Sequence, residues 1–493
     1  MTRPTGIVDR SSPPAGASGP PPVRLDGQTS RDIGVRWVGM SIALLILYLA
    51  APDRFDGAVL VMVAVLGLAL DLRSPLCLRN YFLLYTGGLL LLGGLLYPDL
   101  PSYPMDGTLY MATFLLGYVS YRWSLRRRVP EDKVGSDLSG PIRGSLEVLL
   151  WITVALQVLR VGVLVRQYGV RGFFSGAELV SRFQSFTESN STVGVIIHIA
   201  LTALLAATAA IYFEHCLQTG QAPRFRLLVL TLIVLPTISL QRFSLILNCF
   251  LLISFYACYR RGPGRAAQPR STLRRFLPAA CIVLVAVALA VLIGQIRAKG
   301  LVEGGAQTAP DNTLAVVVKS EFTPVLFYKN AKENIDLLGY RYGGNIVGAL
   351  VTRLVPRTIW EDKPVTTAEF YARVLALDLL ERGFVLAPSI FGVAFLNFGL
   401  TGTALLMLFL GVGAAYFDRG YVSRLYRRMP AFLLVATWAF SLLRDDLATS
   451  LISVLLTFGL YKFFRSLFVR LSSRYSAAVP SPGSRVAVDA AGP

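Results

Sequence analysis

The chain is short of charge and almost without histidine. Of its 493 residues, 16% are charged, whereas a soluble domain carries about 25%, so an ordinary soluble globule is excluded. Only two histidines are present, His198 and His215, which speaks against a histidine base or a histidine-rich metal site. The five cysteines (Cys77, Cys216, Cys249, Cys258 and Cys281) show no CxxC or Cys/His spacing. Neither a disulfide framework nor a metal site is therefore implied. Soluble-enzyme signatures are missing as well: there is no Walker loop, dinucleotide fingerprint, HExxH or nucleophile elbow. No cofactor is called for. Residues 1–32 are rich in Pro, Gly and Ser and have no apolar stretch, so they read as a disordered cytoplasmic tail and not as a cleavable signal peptide.

What the chain has in abundance is apolar sequence, 54% hydrophobic residues with a mean hydropathy of +0.57. It comes in blocks long enough for a helix to cross a hydrocarbon core about 30 Å thick. Spans are expected near residues 35–51, 57–72, 80–97, 108–124, 145–165, 191–213, 226–241, 243–259, 275–296, 388–416, 430–444 and 446–464. The fold class expected is an all-α polytopic membrane protein of about 12 transmembrane helices. Nine lie in residues 33–297 and three in 388–466, separated by a large loop at 298–387, and a second disordered cytoplasmic tail fills 467–493.

The net charge of +19 is explained by topology. Basic residues gather in alternate short loops, DLRSPLCLRN, YRWSLRRRVPEDK, APRFR, YRRGPGRAAQPRSTLRR and DRGYVSRLYRR. The opposite loops, APDRFDG and YPDLPSYPMDG, carry one basic residue between them. This is the positive-inside pattern, so nucleic acid is not an expected partner. It puts both termini in the cytoplasm and the large loop outside.

That loop is not structureless in sequence. DNTLAVVVKSEFTPVLFYKNAKENIDLLG predicts a helix with an Asp311 or Asn312 cap, broken near Pro324 and ending at Gly339. Residues 343–354 predict a short amphipathic helix stopped by Pro356, and 367–382 a third with a threonine cap and Gly383 at its end. Such helices suit the outer face of a membrane. Within the spans, Gly87, Gly88, Gly93 and Gly94 read as sites of close helix approach. His198 reads as a packing residue, and Asp53 and Asp56 fit either a solvated short loop or an acidic site motif.

Arginines at outward span ends are the remaining signal. Arg160 lies near the outer end of the fifth span, followed by Arg166, Arg171 and Arg182. Arg242 interrupts the junction of spans seven and eight, Arg297 closes span nine, and Arg444 sits in the tight turn LLRDDL. Arg353, Arg357 and Lys363 are in the loop. Charge near membrane depth is expensive and is usually paired or functional. A guanidinium fork matches phosphate and carboxylate oxygens, so the set points to a phosphate-rich or acidic ligand. Snorkelling to headgroups explains any one of them, but not a collection set against the positive-inside bias.

RLVPRTIWEDKP (residues 353–364) resembles the Pro-Arg, tryptophan, Lys-Pro segment in the large periplasmic loop of bacterial O-antigen polymerases, the oligosaccharide repeat-unit polymerases. APSIFGVAFLNFGLTG (387–402) is similar to the segment by which that family re-enters the membrane. ISLQRFSL (238–245) and LRDDL (443–447) are similar to its central Arg junction and its Arg-Asp near the last span. The resemblance covers roughly residues 35–465. One departure is plain: many relatives carry an acidic residue near Val393 or Ala394, where this chain is apolar.

The resemblance implies a GT-C-like glycosyltransferase of the bacterial inner membrane. It would move a growing glycan from undecaprenyl diphosphate to the non-reducing end of a single lipid-linked repeat, building O-antigen or exopolysaccharide without nucleotide sugar or ATP. Implied partners are undecaprenyl-diphosphate-linked oligosaccharides, the lipid bilayer, and a chain-length regulator and flippase of the same pathway. Arg242, Arg357, Arg444 and Asp445 are the expected catalytic residues. Arg160, Arg297, Arg353, Trp360, Lys363 and Asn397 are expected to bind substrate. Glu321, Glu361, Asp362 and Asp445 are candidate bases, and the sequence does not choose among them. Trp360 and Tyr371 are placed either to stack on sugar rings or to pack on the bundle. An O-antigen ligase shares this architecture, but the ligases carry a histidine in the outward loop and residues 297–387 have none. A flippase or transporter would show internal repeats and midplane charges, whereas this sequence shows no convincing repeat and most of its ionisable residues sit at span ends.

Overall fold

The computed structural model describes residues 77–92, 100–125, 143–174, 192–219, 224–234, 322–352, 364–377, 387–422 and 447–478, with isolated residues between them. Among the described residues every regular element is helical. In chain order, α1 (Leu78–Gly87) runs into a π-helical turn (Gly88–Leu92) and is followed by α2 (Pro104–Leu125), α3 (Arg143–Phe174) and α4 (Thr192–Thr219). Next come α5 (Phe225–Val229) with a second π turn (Leu230–Val234), and then four short helices. These are α6 (Thr323–Glu333), α7 (Ile335–Leu338), α8 (Gly344–Thr352) and α9 (Thr367–Leu375). Two long helices close the chain, α10 (Ser389–Val422) and α11 (Leu447–Ala478).

Among the described residues four stretches are long and apolar enough to cross a membrane: Gly144–Val163, Ile199–Cys216, Ser389–Asp418 and Ser450–Leu471. Large apolar side chains stand on the outside of the long helices; Trp123 is 71% exposed, Phe409 68% and Leu455 69%. Water would not tolerate so much apolar surface, whereas lipid tails solvate it. The chain is a helical membrane protein. The spans expected at 35–51, 57–72, 243–259, 275–296 and 430–444 lie wholly or almost wholly outside the described residues.

The closest pairing is between α2 and α10. A Cβ added at Gly117 would overlap the Leu408 carbonyl oxygen, and one at Gly411 the Phe114 carbonyl oxygen, so the two backbones touch where side chains are missing. Tyr110 stacks on Phe391 at one end of the pair, and Tyr118 donates to Asp418 at the other. The helices therefore run in the same direction. α3 and α4 run in opposite directions, since Thr153 meets Thr208 at 3.0 Å and Gln157 Nε2 donates to the Leu201 carbonyl at 3.0 Å. Among the glycines expected to allow close approach, Gly94 would run into Ser102 and Gly87 meets only the tip of Leu66. Gly88 faces open space, and Gly93 lies outside the described residues.

Two buried carboxylates pin the ends of the long helices. Asp418 accepts from the Leu78 amide at 2.7 Å and the Arg79 amide at 3.1 Å. It thus caps α1, whose own N-cap residue Cys77 supplies no side-chain capping bond. Glu214 on α4 accepts from Arg465 Nε at 2.9 Å and Tyr461 Oη at 2.7 Å, which pairs its charge inside the bundle.

The short helices share one apolar core with the long ones. Phe327 and Tyr328 of α6 and Tyr371 of α9 are buried with Tyr110, Phe391 and Phe395. Pro324, expected to break a helix, instead stands in the first turn of α6, where its missing N–H leaves no bond unmade. Thr366 caps α9 by accepting from the Glu369 amide at 3.2 Å, a cap that the Thr-x-x-Glu spacing encodes. α9 ends at Leu375, where Ala376 leaves helical geometry; Leu377 is helical again, and the expected end at 382 lies outside the described residues. α11 runs to Ala478, beyond the expected span end at 464, with Phe468 still buried.

Candidate functional site

The described part of the site is built where α6 to α9 meet the N-terminal ends of α2 and α10. Pro104 starts α2 and places Asp106 in its first turn. Asp106 Oδ2 accepts from Tyr328 Oη at 2.8 Å and from Lys332 Nζ at 2.6 Å. Positions 328 and 332 are one helical turn apart, so both groups leave α6 from one face. Tyr328 Oη also lies 2.8 Å from Tyr110 Oη, and the Lys332 ammonium sits 5.3 Å above the Tyr103 ring. Burial, foremost, pushes the Tyr328 phenol far above its ordinary range, reinforced by Tyr110 and Asp106. Tyr103 is raised likewise, by burial and then by the charges of Glu333 and Asp106. Both phenols stay protonated.

A second join lies at a kink in α10. Gly399 has φ 67° and ψ −168°, a conformation essentially open only to glycine. Just before it, the carbonyls of Leu396 and Asn397 accept from the amides of Arg341 (3.1 Å) and Tyr342 (2.9 Å). Asn397 is fully buried. Its Nδ2 donates to the Val393 carbonyl at 2.8 Å, and its Oδ1 accepts from the Gly343 amide at 3.1 Å. Asn397 thus shapes the site by holding residues 341–343 against the broken helix.

Of the other residues singled out by sequence, Trp360 is described and is 44% exposed. Arg160 is part-buried on α3, one turn beyond Gln157, and has no hydrogen-bond or ion-pair partner among the described residues. Tyr371 packs: its ring lies 4.3 Å from that of Phe327, and its hydroxyl accepts from Asn330 Nδ2 at 2.7 Å. Arg242, Arg297, Arg353, Arg357, Lys363, Arg444 and Asp445 lie outside the described residues, as do Glu321, Glu361, Asp362, Asp53 and Asp56. Their flanks are visible. α8 ends at Thr352, next to Arg353, and packs against α11, which begins three residues after Arg444. Pro364, which closes the basic segment, lies against Gly348 of α8, where a Cβ would meet its ring at 2.7 Å. Val393 and Ala394 are completely buried, so an apolar pair there suits the packing.

Sequence reasoning missed Asp106, Tyr328, Lys332 and Arg341. The available signals were an aspartate two residues after Pro104 at a span entrance, Tyr and Lys at helical spacing, and the glycine-bracketed run GYRYG at 339–343. Among the described residues no three His, Cys, Asp or Glu side chains converge to hold a metal ion. No family model, curated protein or solved structure matches the chain.

Proposed function

We propose that the chain is a membrane glycosyltransferase that polymerises undecaprenyl-diphosphate-linked oligosaccharide repeats at the periplasmic face of the bacterial inner membrane. In this reading about 12 helices span the bilayer, both termini are cytoplasmic and residues 298–387 are periplasmic. The parallel course of α2 with α10 and the antiparallel course of α3 with α4 support that topology. The observation that carries the reading is the packing of α8 on α11. It draws the flank of RLVPR towards the helix that LRDDL begins, two of the segments on which the family resemblance rests.

In the reaction, the bond from the donor sugar's anomeric carbon to the diphosphate oxygen breaks, and a hydroxyl of the acceptor's terminal sugar attacks that carbon. The hydroxyl proton passes to a carboxylate, and undecaprenyl diphosphate leaves. Arg242, Arg357 and Arg444 stabilise the charge that develops on the diphosphate, and electrostatic stabilisation of this kind supplies most of the rate enhancement in many enzymes. Arg160, Arg297, Arg353 and Lys363 add positive charge, and Trp360 offers an exposed ring to a sugar. Asp445 is one candidate for the proton acceptor. The test is the length of the surface glycan. Deleting the gene should leave a single capped repeat, and Arg242→Ala or Arg357→Ala should do the same at unchanged protein level. Loss of the single repeat as well would identify a flippase, and normal chain length in the arginine variants would remove these residues from the site.

A further inference from the structure

The run GYRYG at residues 339–343 is the most strained described segment of the chain. Gly339, Tyr342 and Gly343 all have positive φ, of 65°, 47° and 82°. For the two glycines this is free, but a tyrosine in the left-handed region persists only where its surroundings enforce it. Here the enforcement is the bonding of residues 341–343 to Leu396 and Asn397. The result is a phenol held outward, 81% exposed, beside Tyr340 at 42%. The two rings are 6.4 Å apart and inclined at 56°.

Between them, Arg341 turns inward. Its guanidinium lies 3.7 Å above the Phe370 ring, and among the described residues it has no hydrogen-bond or ion-pair partner. Its Nε is buried and unbonded, and so is Asn345 Nδ2 one turn later. Buried donors are normally satisfied. A planar cation oriented by an aromatic ring, with a second unpaired donor near it in the chain and two fixed aromatic rings outside, matches an anionic saccharide: oxygens for the donors, a sugar face for a ring. A tyrosine that merely anchored the loop at a lipid interface would need neither the strained backbone nor the unpaired donors.

We propose that Arg341 and Asn345, with Tyr340 and Tyr342, form an anion-and-ring subsite that takes an acidic or phosphorylated sugar of the lipid-linked glycan. This rests on the glycosyltransferase reading for the identity of the glycan, and it adds residues other than Arg242, Arg357 and Arg444. The anionic oxygens come either from the carrier diphosphate or from a uronate in the glycan.

The test is calorimetric binding to the full chain in phosphatidylcholine nanodiscs, with inorganic pyrophosphate, glucuronate and methyl glucoside as probes. In an Arg242→Gln, Arg357→Gln, Arg444→Gln background, one of the anionic probes should still bind, and adding Arg341→Gln should weaken it at least tenfold. Arg341→Lys should restore little, since an ammonium lacks the fork. Tighter pyrophosphate binding assigns the subsite to the diphosphate, and tighter glucuronate binding assigns it to an acidic sugar. Tyr342→Gly should raise the unfolding temperature by relieving the backbone while weakening glucuronate binding, a combination that a purely structural tyrosine would not give. If the triple variant alone abolishes all anion binding, or if Arg341→Gln changes none, the subsite does not exist and the polymerase reading stands. If Tyr340→Ala and Tyr342→Ala leave all probe binding unchanged, the two rings serve only the loop's packing or its contact with lipid, and the proposal fails. If Arg341-dependent binding persists while gene deletion leaves glycan length normal, the subsite stands and the polymerase reading fails.

Discussion

Lys332 lies 226 residues from Asp106 along the chain and 2.6 Å from it in space. This pair, with Tyr328 wedged beside it, fastens a helix of the long loop to the entrance of α2. The two partners are unequally covered: the Asp106 side chain is 10% exposed and that of Lys332 39%. Removing the lysine strands a buried carboxylate, whereas removing the aspartate leaves an amine that can hydrate. Lys332→Met should therefore cost about 1–3 kcal/mol, below the 3–5 kcal/mol of a fully buried pair because the amine already reaches water. Asp106→Asn should cost less. Thermal unfolding of the two variants in one detergent checks the order, and a larger loss in Asp106→Asn would show that the pair is not what fastens α6.

Alkaline pH probes the same network through Tyr328. Its folded phenol titrates above its ordinary value, whereas unfolded tyrosine ionises near about 10. The folded state therefore holds the proton more tightly. The stability this gives is complete below about pH 10 and falls as the pH rises further. Tyr328→Phe should flatten that fall and cost about 1 kcal/mol at neutral pH, for the bond lost to Asp106. Unfolding temperature measured from pH 8 to 11 for both proteins decides it, and parallel curves would show that Tyr328 makes no contribution to the alkaline loss.

How much of this was legible follows from range. α2, α3, α4, α10 and α11 are continuous apolar runs, and a run announces itself within its own residues. The Thr366 cap and the glycine end at Gly339 are likewise local. Pro324 misled because one proline either breaks a helix or starts it, and only its neighbours in space decide. Asp106 with Lys332, Asp418 with the α1 amides, and Glu214 with Arg465 are pairings across more than 200 residues, for which one sequence carries no local mark. Arg341 was passed over for the same reason, because Phe370 orients it only in the folded chain. Asn397 was legible as a residue of note, but its bonds to Val393 and Gly343 appear only in three dimensions.

The Glu214 pair, which joins α4 to α11, gives a contrasting test. The Glu214 side chain has no exposure and that of Arg465 has 27%. Arg465→Met takes the guanidinium away from a buried carboxylate that Tyr461 also holds, and should cost about 3–5 kcal/mol. Adding Glu214→Gln to it should recover much of that loss, since a neutral amide needs no counter-ion. A double-mutant cycle read by thermal unfolding measures the coupling, and strictly additive losses would mean that the two groups do not interact.

Helix contact between α2 and α10 can be tested with a built-in control. A Cβ at Gly411 would press on backbone atoms of Phe114 and Tyr118, which have nowhere to go, whereas one at Gly413 meets nothing within 4 Å. Gly411→Ala should cost about 1–3 kcal/mol or block folding. Gly413→Ala, two residues away, should gain about 0.5–1 kcal/mol from reduced backbone freedom in the unfolded chain. Unfolding temperatures moving in opposite directions are the expected result, and equal effects would show that the two helices do not meet at Gly411.

Gly399 joins the two halves of α10 and, through Asn397, the strained run at 339–343. Its ψ of −168° at φ 67° is a backbone conformation that a residue with a side chain adopts only under strain. A Cβ there would also approach the Tyr340 ring at 3.4 Å. Gly399→Ala should therefore cost about 1–3 kcal/mol and straighten α10. Straightening returns the carbonyls of Leu396 and Asn397 to the helix and takes them from the amides of Arg341 and Tyr342. A second effect is more specific: residues 341–343 should lose amide protection in hydrogen exchange while the α2–α10 contact at Gly411 keeps its own. Uniform loss along α10 would mean that the kink supports the whole helix and not this junction, and unchanged protection at 341–343 would show that the loop holds its shape without Asn397.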